Sequence, residues 1–213
     1  MTPKQKAWAI QAEHVIKQME RRHFNAYYCS TKEEALLKAL SIIEKGAVIA
    51  SGGSATIEEV GLLNYIKTHS EEYTFIDRSI AKNEEEKRQI HAKAILSDYY
   101  LMSTNAFTMD GQLVNIDGNG NRVSALCYGP KHVVIITGMN KLTPSVEDAY
   151  KRIRQDACPP NCVRLGLPTP CSKTGVCGEC MSASSICDLF VTTRMSRYPD
   201  RIHIIMVGEE LGY

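Results

Sequence analysis

Ala47-Val48-Ile49-Ala50-Ser51-Gly52-Gly53-Ser54-Ala55-Thr56 decides the fold. A short apolar run of this kind reads as a buried strand. It runs into a glycine pair bounded by serines, and then into a helix from about Ala55 to Lys67. Strand, glycine loop and helix in that order form the front half of a βαβ unit.

The same rhythm extends on both sides. Upstream, Trp8, Val15, Ile16 and Met19 recur at roughly helical spacing within Pro3–Arg22. Asn25–Ser30 reads as a strand. Thr31 with Glu34 is a capping box that opens a helix burying Ala35, Leu36, Ala39, Leu40 and Ile43, with Gly46 as its stop. Downstream, Tyr73–Asp77 and Tyr99–Ser103 read as strands around an amphipathic helix, Asn83–Leu96. His132–Thr137 is a further core strand, Pro144 starts a helix to about Gln155, and Arg201–Val207 is the last strand. The expected fold class is therefore α/β, with a mainly parallel sheet flanked by helices. Gln112–Ile116 and Arg122–Cys127 flank Asp117-Gly118-Asn119-Gly120-Asn121 and read as a β-hairpin inserted at Asn119. Ala157–Cys187 carries several prolines and reads as irregular.

Bulk properties narrow the function. The chain has 213 residues, which suits one domain over 1–213 with a Cys-rich segment at 157–187. Net charge is +1 and the charges are mixed, so neither nucleic acid nor an anionic membrane is expected as a partner. Apolar stretches such as Val133–Thr137 and Ile202–Val207 are too short to span a bilayer. Met1–Ile10 is polar, with no apolar h-region, so a cytoplasmic location is expected.

There the thiols stay reduced or bind metal. Six of the 8 cysteines fall in Cys158-x3-Cys162-x8-Cys171-x5-Cys177-x2-Cys180-x6-Cys187. Cys177-Gly178-Glu179-Cys180 is the strongest unit, because a C-x2-C turn aims two sulfurs at one ion. Cys171 and Cys187 complete a set of four, with Cys158 and Cys162 as additional ligands or a redox pair. Four thiolates suit zinc or an iron–sulfur cluster. Reduced, half-buried loop thiols are the plainer alternative.

Two further segments are candidates for binding a small anionic metabolite, a carboxylate or a phosphate. Gly52, Gly53, Ser54 and Thr56 lie where a strand ends and a helix begins, without the lysine of a P-loop. Thr104 and Asn105 follow another strand, near Asn115, Asp117, Asn121 and Arg122. Arg122 is the natural clamp for an oxyanion, and Gly52, Gly53, Ser54, Thr104, Asn105, Asn121 and Arg122 are expected to converge on one pocket. Turn chemistry and surface pairing would account for both segments without a ligand. Asp77, Glu58 and Glu59 are acid–base candidates, and the scattered histidines form no triad. No catalytic residue is singled out.

Ala50-Ser51-Gly52-Gly53-Ser54-Ala55-Thr56, then Ser103-Thr104-Asn105-Ala106, then Asp110-Gly111, Leu113-Val114-Asn115-Ile116-Asp117-Gly118, Gly120-Asn121-Arg122-Val123 and Gly129-Pro130-Lys131 together resemble the LUD family of lactate-utilisation proteins, in its branch with a C-terminal cysteine cluster. The resemblance implies a fold similar to the CoA-transferase and ribose-5-phosphate-isomerase superfamily, with the glycine loop at the ligand site. It also implies a role as subunit or accessory in oxidation of lactate or another 2-hydroxy acid, beside iron–sulfur partner subunits. That redox setting favours an iron–sulfur centre over zinc. A stand-alone isomerase or acyl-CoA-type transferase, and a non-enzymatic metal-stabilised accessory or sensor protein, are the alternatives. A homo-oligomer is compatible with all three. No flavin or nicotinamide fingerprint is present, so lactate oxidation would need partners.

Overall fold

A computed structural model describes residues 1–213. Its centre is a six-stranded, wholly parallel sheet. The strands are β1 (Asn25–Cys29), β2 (Val48–Ser51), β3 (Thr74–Ile76), β4 (Tyr99–Met102), β7 (His132–Gly138) and β10 (Ile202–Val207), in the order β1-β10-β7-β4-β2-β3. β4 and β10 are buried along their whole length because helices cover both faces. Two apolar layers result. Val15, Met19, Met102, Ile135 and Ile204 pack on one face, and Ile49, Ile66, Leu101, Ile136 and Ile205 on the other. The strands expected around Val48, Phe75, Leu101 and Val134 are all present and pair in parallel.

The helices follow their caps. In α1 (Pro3–Glu20), Thr2 and Gln5 form a reciprocal capping box. In α2 (Lys32–Ile42), Thr31 accepts from the Glu34 amide, while Glu34 accepts from the Ser30 amide. The helix expected over 55–67 is two, α3 (Ala55–Glu59) and α4 (Leu62–Thr68), because Gly61 takes a left-handed φ of 80°. α5 (Glu84–Ile95) begins at Asn83 as a capped amphipathic helix.

The largest correction concerns the hairpin. Asn121–Cys127 is a helix, α6, that buries Val123, Ala125 and Leu126. The Asp/Asn/Gly run turns the chain into this helix: Asp117 Oδ1 accepts from the Gly120 amide, and Gly120 has φ of 81°. The hairpin lies one step earlier, where β5 (Ala106–Thr108) pairs antiparallel with β6 (Leu113–Asp117). Its turn passes through Gly111, at φ of 85°, where a Cβ would meet the Met19 backbone. β8 (Leu142–Thr143) and β9 (Leu189–Thr193) complete a second sheet in the order β8-β5-β6-β9. β9 was not expected. Its run is short and half-exposed, with no clean alternation.

Residues 157–187 are also more regular than expected. α7 (Val146–Arg152), capped by Ser145, continues through one π turn, Ile153–Ala157, into α8 (Cys158–Arg164). Pro159 and Pro160 are tolerated there because the first helical turn needs no amide partners. α9 (Pro170–Thr174) follows, and 165–169 and 175–188 are without helix or strand. No helix is long and apolar enough to cross a membrane.

Candidate functional site

A cavity of about 260 Å³ opens at the carboxyl ends of the central strands. Strand ends gather there because every parallel strand points the same way. β2 delivers Gly53, Ser54 and Thr56. β3 is followed by Arg78, β4 by Ser103, Thr104 and Asn105, β7 by Lys141, and β10 by Gly212. The second sheet and its following helix add Asp117, Asn121 and Arg122, and α8 adds Cys158, Asn161 and Arg164.

The two sequence segments thus meet in one cavity. Gly53, Ser54, Thr56, Thr104, Asn105, Asp117, Asn121 and Arg122 all line it. Gly52 and Asn115 stand behind the wall. Gly52 leaves room for the Arg122 stem, since a Cβ there would fall 3.2 Å from Arg122 Cδ. Asn115 is fully buried; its Oδ1 accepts from Arg122 while its Nδ2 has no partner.

Arg122 is a structural hub. Its Nη1 donates to Ser103 O (3.2 Å) and Asn115 Oδ1 (2.6 Å), and its Nη2 to Asn105 Oδ1 (2.8 Å) and Ile116 O (2.6 Å). Its Nε faces Asp117 Oδ2 at 3.6 Å. A guanidinium has five donors, and all five point at protein acceptors. Arg122 therefore ties the loop after β4 to strand β6. The free positive charge of the cavity lies elsewhere.

Arg78 and Arg164 supply it, and a third basic side chain, Lys141, lines the same cavity. Arg78 is exposed and has no hydrogen-bond acceptor within the chain. It lies over Gly53, where a Cβ would fall 2.5 Å from its Nη2. Arg164 reaches only the Asn161 amide oxygen. Lys141 is 3% exposed, and its Nζ donates to Thr56 Oγ1 (3.0 Å) and Ser103 Oγ (3.3 Å). Burial, aided by the Arg152 and Arg122 charges and opposed by Glu59, brings its pKa down to about 7. Sequence reasoning missed these residues. Asn140-Lys141 carries no motif, and only its place just past a core strand marks it out.

The acid–base candidates lie aside. Asp77 pairs with Lys67 at 2.7 Å, which draws its carboxyl down to about 2. Glu59 accepts from the Gly212 amide at 2.9 Å, and Glu58 faces solvent.

The cysteines adjoin the cavity through Cys158. Its Sγ is 3.3 Å from Cys187 Sγ. The two thiols share a hydrogen bond, which raises the Cys158 pKa and lowers that of Cys187. Cys162 is buried and neighbours Cys171, and burial pushes its thiol up to about 11. Cys171 is also buried, against Thr169 Oγ1 at 3.3 Å. Cys177 and Cys180 are half-buried on a turn where Glu179 has φ of 51° and pairs with Arg154. The donor chemistry suits a soft metal centre. In this arrangement, however, no three His, Cys, Asp or Glu side chains converge closely enough to hold an ion.

The chain can be compared with known proteins. No curated protein matches it in sequence. A DUF162 family protein from Deinococcus radiodurans, known from a crystal structure, superposes with a TM-score of 0.51 at 14% identity, covering 95% of this chain and 98% of that one. That likeness concerns the fold alone. A ribose 5-phosphate isomerase from Plasmodium falciparum matches over 53% of this chain and 52% of its own, at 16% identity and a TM-score of 0.34, too slight to carry an argument. The LUD domain profile matches residues 12–207, which takes in every strand, the whole cavity wall up to Ile186 and all the cysteines, and the chain therefore belongs to the LUD domain family.

Proposed function

We propose that this chain binds a small carboxylate of the 2-hydroxy or 2-oxo acid class in the cavity at the strand ends, as a subunit or accessory of lactate-type oxidation. One observation carries this. Arg78 and Arg164 open into the cavity without a carboxylate partner, while its one acidic side chain, Asp117, is held by Arg122. Uncompensated basic groups in a partly buried site favour an anion. A volume of about 260 Å³ has room for an acid of a few heavy atoms. With no flavin or nicotinamide motif, electrons would pass to a partner such as an iron–sulfur subunit. Calorimetry with lactate, pyruvate and inorganic phosphate tests the site. Pyruvate or lactate should bind, and Arg78→Ala should weaken that binding about tenfold, the worth of one charge-assisted hydrogen bond. Absence of heat with every carboxylate would refute the assignment.

The 3.3 Å contact of Cys158 with Cys187 favours a second element, a metal centre in the cysteine segment. Cys187 would be joined by Cys171, Cys177 and Cys180, with Cys158 and Cys162 beside them, once the 175–188 loop closes. Four thiolates would hold an iron–sulfur cluster, or zinc in its place. Protein purified without oxygen should carry about one centre per chain by iron, sulfide and zinc analysis. Cys177→Ser with Cys180→Ser should abolish uptake yet leave the circular dichroism of the core unchanged. Less than about a tenth of an equivalent after reconstitution would rule the centre out.

A further inference from the structure

Lys141 is placed as a neutral amine. An ammonium has three N–H donors. Nζ finds two acceptors, both uncharged hydroxyls: Thr56 Oγ1 at 3.0 Å and Ser103 Oγ at 3.3 Å. Ser103 Oγ is itself turned toward Thr104 O, which leaves its lone pairs for the lysine. Two donors and two acceptors balance a neutral amine and leave the nitrogen lone pair free. No carboxylate pairs with the group. The surrounding charges are Arg152, held by Asn140 O and Asn105 O, Arg122, held as above, and Glu59, which takes the Gly212 amide. Gly212 is needed at that approach, since a Cβ there would lie 3.2 Å from Nζ. At neutral pH a large share of such a lysine is unprotonated, consistent with its pKa of about 7.

We infer that Lys141 is a nucleophile that forms an imine with a 2-oxo acid bound in this cavity. The inference rests on the anion site proposed above and assigns the carbonyl, beyond the carboxylate, as the recognised group. The nitrogen lone pair attacks the carbonyl carbon as the C=O π pair moves to oxygen. Both N–H protons then leave with that oxygen as one water, and a C=N bond remains. No electrons are gained or lost. Desolvated lysines act this way because a free lone pair is the reactive form. The imine draws electrons from the adjoining carbon, so it would also acidify a neighbouring C–H bond of the acid.

Pyruvate with sodium cyanoborohydride, followed by peptide mass mapping, tests the inference on the intact chain. Hydride reduces the C=N bond and fixes a carboxyethyl group on the lysine. At mildly alkaline pH, labelling of Lys141 should exceed that of an ordinary surface lysine by roughly a hundredfold, the ratio of unprotonated fractions. Lactate, which has the carboxylate without the carbonyl, should give no label. Lys141→Arg should remove the label while calorimetry still detects carboxylate binding through Arg78 and Arg164. If pyruvate binds by calorimetry but Lys141 stays unlabelled, or the label spreads evenly over surface lysines, the imine is refuted and the anion site stands. If pyruvate neither binds nor labels, both fall.

Discussion

Replacing Arg122 by leucine should destabilise the protein by about 3–5 kcal/mol, the usual cost of removing one partner from a buried, hydrogen-bonded ion pair. Leucine keeps most of the stem that packs on Gly52 but removes every donor. Four oxygens would lose a partner: Ser103 O, Asn115 Oδ1, Asn105 Oδ1 and Ile116 O. Asp117, only 7% exposed, would lose its counter-charge. Each such group is costly to leave unmade in the interior. Urea denaturation should show the midpoint falling with little change in slope. Arg122→Lys should recover only part of the loss, since a point charge cannot bridge the loop after β4 and strand β6 as the planar fork does. A loss below about 1 kcal/mol for the leucine variant would show that the five contacts do not hold the cavity wall. The location of Arg122 at the site was legible from the sequence. That it is consumed by the wall was not, because a guanidinium clamp for a ligand and one for backbone carbonyls use the same residue in the same loop.

This limit recurs along the chain. Strands such as Val48–Ser51 and His132–Gly138 were readable because they are buried on both faces, so burial writes itself as an unbroken apolar run. Asn121–Cys127 was misread because its seven residues complete barely two helical turns, too few to separate one period from the other. The preceding Asp117–Gly120 turn favours hairpins in general, yet here its αL glycine opens a helix. The cysteine segment looked irregular because prolines usually break helices, although Pro159 and Pro160 sit in a first turn. The glycine loop and the Thr104–Arg122 stretch were expected to share one pocket, and the parallel sheet brings them together. Lys141, Arg78 and Arg164 carried no motif. A lysine becomes unusual only through what surrounds it, and its surroundings come from four different strand ends.

Lys141→Met should therefore stabilise the folded chain at and below neutral pH, and the gain should fade as the pH is raised. In the unfolded chain the lysine keeps its proton up to its ordinary value of 10.5, whereas in the folded chain it loses it at about 7. Between those two values the unfolded state binds one more proton, so wild-type stability rises with pH across that window. Below about 7 both states are protonated, and the folded protein carries the whole penalty of an ammonium buried without a counter-charge. The shift sets an upper bound on the order of 5 kcal/mol for that penalty. The measured gain should be smaller, because methionine strands the Thr56 and Ser103 hydroxyls that the amine now engages. Urea midpoints of the two proteins from mildly acidic to alkaline pH should converge as the lysine of the unfolded chain deprotonates. A difference independent of pH would mean that Lys141 is charged in the folded state and acts as a plain cation for the ligand. Convergence, together with the loss of reductive labelling in the same variant, would mark a side chain that weakens the fold and supplies the reactive amine, the trade expected where a buried group serves chemistry rather than packing.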